Sequence, residues 1–380
     1  MTTADALIYL CKCSVCGLMP EAERLAETDL NKLFQLATLH KLASMTGLAL
    51  EKAGIRNENF HKAIATNYYK TLLMDSERNK IFHALEEKGI WHVALKGAEL
   101  KAWYPKEGMR ESVDLDVLFD ERYEKEVRDI MVGFGYTIDE YGGGHHDVYS
   151  KSIGITVEMH LALFGVEYEE RLNRYFANAR ERLIERNGLE LCFKPEDFYV
   201  YFIAHNYNHF VNGGIGIRSL TDTYVFLQKF GEKLDWTYVE TELKKLGTDQ
   251  YEKENRSLTE HLFTVEVAPD EGREALPDVE RKRLTEKEQD MLDYLIGSGS
   301  HGTAINKVRN MVNRGGGGVK GGLSYIWQRL FLPMDVVEHW FPFFYKHKVL
   351  LPFLPVYRTI KGLTGNKKKL DAEWDAFRRL

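Results

Sequence analysis

Between residues 88 and 166 the spacing of apolar positions changes several times, and each change marks an element. Residues 91–95 form a short apolar run that reads as a strand, broken by Lys96 and Gly97. Residues 98–104 follow as a helical segment that Pro105 stops. Val113, Leu115 and Val117 alternate with polar residues, which predicts a strand over 113–119. Tyr123, Val127, Ile130, Met131 and Phe134 recur at helical spacing and are closed by Gly135. Tyr136, Thr137 and Ile138 open another strand, and Gly142, Gly143 and Gly144 supply a turn before residues 145–149. Residues 153–160 alternate again.

The flanks follow a helical period. Residues 1–87 read as helices, with His40 expected to pack or cap one of them. Residues 167–247 read as a helical module packing on the core after a hairpin at 183–193. Residues 248–284 are charged and poorly periodic, as in a linker or insertion, and residues 285–380 return to helix. The glycines of 314–322 are expected to form a mobile loop; with no strand before it and no Gly-Lys-Ser/Thr ending, it is not a Walker-type phosphate loop. The fold class predicted is α+β, with a small mixed sheet in residues 88–166 between N-terminal and C-terminal helical modules.

Chemistry concentrates on the predicted strands. Side chains two apart on a strand share a face, so Ser112, Asp114 and Asp116 point one way, as do Thr156, Glu158 and His160. Neighbouring carboxylates repel unless a cation lies between them, and hard oxygen donors of this kind suit Mg²⁺ with a phosphate substrate. Glycine in a strand-to-helix turn, as at Gly97, lets backbone approach an anion. Past the core, His205 and His209 lie four apart on one helix, as do Arg218 and Asp222. Asn206 stands where a zinc protease motif needs glutamate, which excludes that reading.

Composition narrows the partners. The chain is 44% hydrophobic and 12% aromatic, ample for a core. A formal net charge of −6 argues against a broad nucleic-acid surface. The first 20 residues lack a basic segment before an apolar one, and no apolar run spans a bilayer, so a cytoplasmic protein is expected. Cys11, Cys13 and Cys16 have metal-like spacing, but only Cys192 remains as a fourth thiol, and 6–18 reads as an apolar helix in which cysteine packs as a hydrophobe.

The run Ala94-Leu95-Lys96-Gly97, with Tyr104-Pro105, Arg110, Asp114-Leu115-Asp116-Val117-Leu118, Gly135-Tyr136 and Val157-Glu158-Met159-His160, resembles a bacterial nucleotidyltransferase-like family of the DNA polymerase beta-like superfamily. The resemblance continues through 197–209, 218–222, 332–333 and 351–358. It implies Mg²⁺ (or Mn²⁺) on Asp114, Asp116 and Glu158, an NTP whose phosphates meet Lys96, Gly97, Arg110, Ser112 and Arg218, and Glu158 assisting an acceptor hydroxyl. His160, His205, His209 and Asp222 are candidates for the acceptor side of the cleft. The acceptor itself, small molecule, peptide or protein, stays open. Two departures stand out: Ala98 follows Gly97 where many members carry serine, and the third acid is glutamate rather than aspartate. A catalytically weak or inactive nucleotide- or partner-binding module therefore stays an alternative. So does a metal-dependent glycosyltransferase, although that fold needs more βα units than precede the Asp-x-Asp run.

Overall fold

The computed structural model describes residues 1–152, 154–165, 170–265, 284–300, 302–365 and 375–378. Four helices come first: α1 (Thr3–Val15), α2 (Leu30–Leu39), α3 (Ala43–Lys52) and the long α4 (Glu58–Glu87). The mixed region follows as β1 (His92–Ala94), α5 (Lys96–Lys101), β2 (Leu115–Phe119), α6 (Glu124–Gly133), β3 (Thr137–Glu140), β4 (His146–Lys151) and β5 (Ile155–His160). Helix α7 (Glu170–Tyr175) leads to the hairpin β6 (Leu183–Asn187) and β7 (Glu190–Phe193). Helices α8 (Pro195–Asn212), α9 (Arg218–Phe230), α10 (Trp236–Leu246) and α11 (Asp249–Phe263) come next. The chain ends in α12 (Glu286–Ser298), α13 (Ala304–Arg314), α14 (Gly318–Leu330), α15 (Met334–Trp340), α16 (Pro342–Lys346) and α17 (Leu354–Gly365).

The fold is α+β, with one mixed seven-stranded sheet in the order β3-β4-β5-β2-β1-β7-β6. Strand β2 pairs antiparallel with β1 and parallel with β5, which sets Asp116 opposite Glu158 and Leu118 opposite His160. Strand β4 runs antiparallel to β5, with His146 opposite His160. The hairpin expected at 183–193 does more than close on itself, because β7 pairs parallel with β1 and widens the sheet.

Alternation along β2 splits two cores. Leu115, Val117 and Phe119 pack with Ile81, Leu85, Val127 and Met131 of α4 and α6 on one face. Leu118 points to the other face, with Leu163, Phe164, Tyr201 and Phe202. Asp116 shares that second face because it is two residues from Leu118. Glu77 ties α4 to the first face: its carboxylate pairs with Lys80 and Lys151 and accepts the Tyr136 hydroxyl at 2.8 Å.

The N-terminal helices and α8–α11 contribute to a single core, in which Leu7, Ile8, Leu33, Phe202, Phe226 and Leu258 are all buried. Lys12 Nζ donates to the Thr264 carbonyl at 2.8 Å, and His40 Nδ1, at the end of α2, accepts the Ile217 N–H at 3.2 Å. Cys11 and Cys13 are buried in this core; burial raises the Cys13 thiol to about 11 and the Cys11 thiol further, as expected for cysteines that pack as small hydrophobes.

Two expectations are corrected. Residues 249–263, read as the start of a linker, form α11, whose Tyr251, Leu258, Leu262 and Phe263 are buried. Charged residues on the remaining faces hid that stripe. The rest of the expected linker, from 266 to 283, lies outside the described residues. The glycine-rich stretch is also shorter as a loop than expected: α13 runs to Arg314 and α14 starts at Gly318. These helices pack so closely that a Cβ at Gly321 would collide with the Val312 carbonyl.

Candidate active site

Strand β2 begins at Leu115, two residues later than the alternation suggested, so Ser112 and Asp114 lie on the approach to the strand. Side-chain donors take the carbonyls of this approach: Lys70 Nζ donates to Val113 O and Arg218 Nη1 to Glu111 O, both at 2.8 Å. Further back, the Ser44 hydroxyl and Asn67 side-chain amide both donate to the Gly108 carbonyl, at 2.7 and 2.6 Å. The Ser44 N–H donates to Glu111 Oε1 at 2.8 Å. Helices α3 and α4 thus hold the segment that delivers Asp114, through contacts too distant in sequence to read there.

All twelve residues singled out from the sequence border one cavity of about 310 Å³. They fall into three groups. Asp114, Asp116 and Glu158 form the acidic floor. Burial raises the Asp114 carboxyl to about 6, and Asp116 and Glu158 add to the effect while Lys96 opposes it. Burial acts on Asp116 in the same sense, but His160 outweighs it and holds Asp116 below the usual carboxylate range.

The second group is cationic. Burial lowers the Lys96 ammonium to about 8, with Arg218 and Arg110 pushing the same way and Asp116 resisting. Lys96 Nζ lies 2.8 Å from His205 Nδ1, and His209 Nε2 is 3.3 Å from His205 Nε2. Burial holds the His205 imidazole well below its ordinary range, and Lys96 and His209 reinforce this, so a neutral ring accepts from the lysine.

The third group is a buried pair. Arg110 Nε and Nη2 donate to the two oxygens of Asp222 at 2.8 and 3.1 Å, and Tyr104 adds its hydroxyl at 2.7 Å. Asp222, expected as a cleft residue, is thus satisfied within the protein. Arg110, expected on phosphate, spends its fork on Asp222, with Nη1 3.4 Å from the Gly97 carbonyl. A Cβ at Gly97 would meet only Arg110 Nη1 at 3.5 Å, an ordinary contact, so packing does not demand glycine there.

His145 and His146 were given no role from the sequence, yet both border the cavity beside His160. The glycine turn before β4 and the strand alternation carried the signal, but only the β4–β5 register sets His146 opposite His160. Asp116, Glu158 and His160 could hold a metal ion, as could His145, His146 and His160; in each set the donor atoms lie within 4.8 Å of one another.

A mixed sheet bearing Asp116 and Glu158, with Asp114 just before β2 and a lysine and an arginine on the same cavity, defines a class of site able to take a divalent cation and an anionic substrate. The chain belongs to the family described as uncharacterised nucleotidyltransferase, whose model matches residues 26–264, more than half of its length. It is thus an enzyme of a nucleotidyltransferase family, and nucleotidyl transfer from an NTP is the general activity that this membership supports. No curated protein matches the chain. Among solved structures, that of the antibiotic-resistance factor ANT(2'')-Ia aligns with 50% of this chain and 96% of its own at 13% identity. Its TM-score is 0.32, a likeness too loose to bear on fold or substrate. No helix among the described residues is long and apolar enough to cross a membrane.

Proposed function

We propose that the protein transfers a nucleoside monophosphate from a Mg²⁺–NTP to an acceptor hydroxyl, with release of pyrophosphate, on a site of the polymerase beta-like kind. The observation that carries this reading is the parallel register of β2 and β5, which sets Asp116 beside Glu158 with Asp114 at the strand entrance. The residues fit such an ion: the acids are clustered, and burial together with repulsion from Asp116 and Glu158 already disfavours ionisation of Asp114. A bound Mg²⁺ supplies charge neutralisation for the carboxylates and the triphosphate. Lys96 and Arg218, which line the same cavity, balance the remaining phosphate charge. Glu158 accepts the proton of the acceptor hydroxyl as its oxygen bonds to the α-phosphorus and the bond to the pyrophosphate oxygen breaks. Leu163, Phe164, Tyr201 and Ile215 give the cavity an apolar wall against which an acceptor can lie.

The test is calorimetry of ATP, GTP, CTP and UTP with Mg²⁺, on the wild type and on Asp114→Asn and Asp116→Asn. We expect metal-dependent binding of at least one nucleotide, lost in both variants, and pyrophosphate release reduced by roughly 10²–10³-fold or more once an acceptor is supplied. Undiminished binding and transfer in both variants would sink the assignment.

A further inference from the structure

The histidines beside the acids are a donor set that a Mg²⁺ site does not need. His160 is 8% exposed, and neither of its ring nitrogens has a hydrogen-bond partner among the described residues. Its Nε2 lies 3.6 Å from Asp116 Oδ1 and 3.5 Å from Glu158 Oε2, too far for hydrogen bonds. His146 Nε2 is 3.7 Å from the same Glu158 oxygen. Four donors around a small ion with bonds of about 2.0–2.1 Å stand roughly 3.4 Å apart along the edges of a tetrahedron. Three separations are close to those edges, from His160 to Asp116 and to Glu158 and from His146 to Glu158. His145 completes the arrangement, because its Nε2 sits 3.1 Å from His146 Nδ1. That contact engages the inner nitrogen of His146 and leaves Nε2 toward the acids.

We infer that Asp116, Glu158 and His160 form a second metal site for a nitrogen-accepting divalent ion of the Zn²⁺ class, with His146, 3.7 Å from Glu158, closing in as the fourth ligand and His145 as a positioning residue. Imidazole suits zinc, cobalt and nickel, whereas Mg²⁺ takes oxygen donors. Asp114 lies outside this donor set and serves only the Mg²⁺–nucleotide ion, with Asp116 common to both; Glu158 meets both histidines through Oε2, which leaves its other oxygen for the acceptor proton. A function for the second ion on the acceptor side rests on the transfer reading above; the site itself rests on geometry. The expected centre is therefore mixed, one ion held by oxygen and one by nitrogen and oxygen.

Co²⁺ is the probe, titrated into the full chain after chelator treatment and read by visible absorption. We expect the intense bands of four-coordinate Co²⁺ at one equivalent, displaced by Zn²⁺ and not by Mg²⁺ in about hundredfold excess. His160→Gln and His146→Gln should abolish the bands, Asp114→Asn should keep them, and His145→Ala should weaken binding by roughly 10–100-fold. His146 has a side chain that is 22% exposed, so its variant keeps the test open if His160→Gln fails to fold. Absent bands, or bands that survive in His146→Gln or yield to Mg²⁺, would overturn the site and leave His160 as a fixed counter-ion to Asp116 and Glu158. Nucleotide calorimetry on the same samples separates the two readings. A Co²⁺ site without nucleotide binding overturns transfer alone, and nucleotide binding without the Co²⁺ site overturns this inference alone.

Discussion

Replacing Asp222 with asparagine should cost far more than a surface charge change, because it leaves a buried guanidinium without its counter-charge. Arg110 and Asp222 have side chains only 5% and 6% exposed, and their closest contact is 2.8 Å. At that separation, with an effective dielectric constant near 20, the gross attraction is about 6 kcal/mol. Both partners lost water on burial, so the net value of the pair is much smaller, but removing one partner typically costs ~3–5 kcal/mol. Asparagine keeps an oxygen for the Tyr104 hydroxyl, so we expect a loss of about 3 kcal/mol for Asp222→Asn. Urea unfolding followed by fluorescence measures it, in a cycle with Arg110→Met and the double variant. The double variant should recover most of the loss, since it removes both charges. Nucleotide affinity should fall in the single variants too, because Arg110 Nη1 is the group nearest Gly97. A coupling below about 1 kcal/mol would refute the claim that the pair is a buried unit rather than two independently solvated groups.

Three further outcomes are expected. Burial lowers the His40 imidazole to about 4, so its contribution to stability is complete above pH 6.5 and is lost as pH falls toward 4, amounting to about 2 kcal/mol between pH 7.5 and 5. Denaturant titrations at the two pH values should show this, and His40→Leu should flatten the dependence over that interval. Glu77 acts lower on the scale: burial raises its carboxyl, but Lys151, Lys80 and Tyr136 prevail and hold it at about 2, so its contribution is present above pH 4.5 and disappears toward 2, and Glu77→Gln should abolish that part of an acid-unfolding curve. Gly97→Ala should leave thermal unfolding nearly unchanged, since its Cβ would make only an ordinary contact with Arg110 Nη1, and weaken nucleotide binding about tenfold by calorimetry.

The strand alternation around Asp116, Glu158 and His160 was legible because a two-residue period leaves polar side chains on one face whatever the partner strands are, while Asp114 lies just before its strand. The helix bearing His205 and His209, and the one bearing Arg218 and Asp222, were legible because residues four apart share a helix face, and these residues border one cavity. Pairing was not legible. Nothing local to residues 190–193 says that they join β1, and nothing local to His146 says that it faces His160. The clamp on Gly108, Glu111 and Val113 draws on Ser44, Asn67 and Lys70, ordinary polar residues whose purpose shows only in three dimensions. Helix α11 failed for a different reason: its buried stripe is diluted by acids and bases that serve the exposed faces.

The single core shared by the first helices and α8–α11 has a consequence for how the protein is made. Helix α1 packs its apolar residues against α11 as well as its near neighbours, and Lys12 is anchored on Thr264. At ribosomal rates of about 5–20 residues per second, roughly 12–50 s separate synthesis of these two segments. Throughout that interval the nascent chain carries an apolar helix whose partner surface on α9 and α11 has not been synthesised. A folding helper that recognises short apolar segments would find its natural client in that opening helix, and slowing synthesis in the last third of this stretch should lengthen the encounter rather than aid folding.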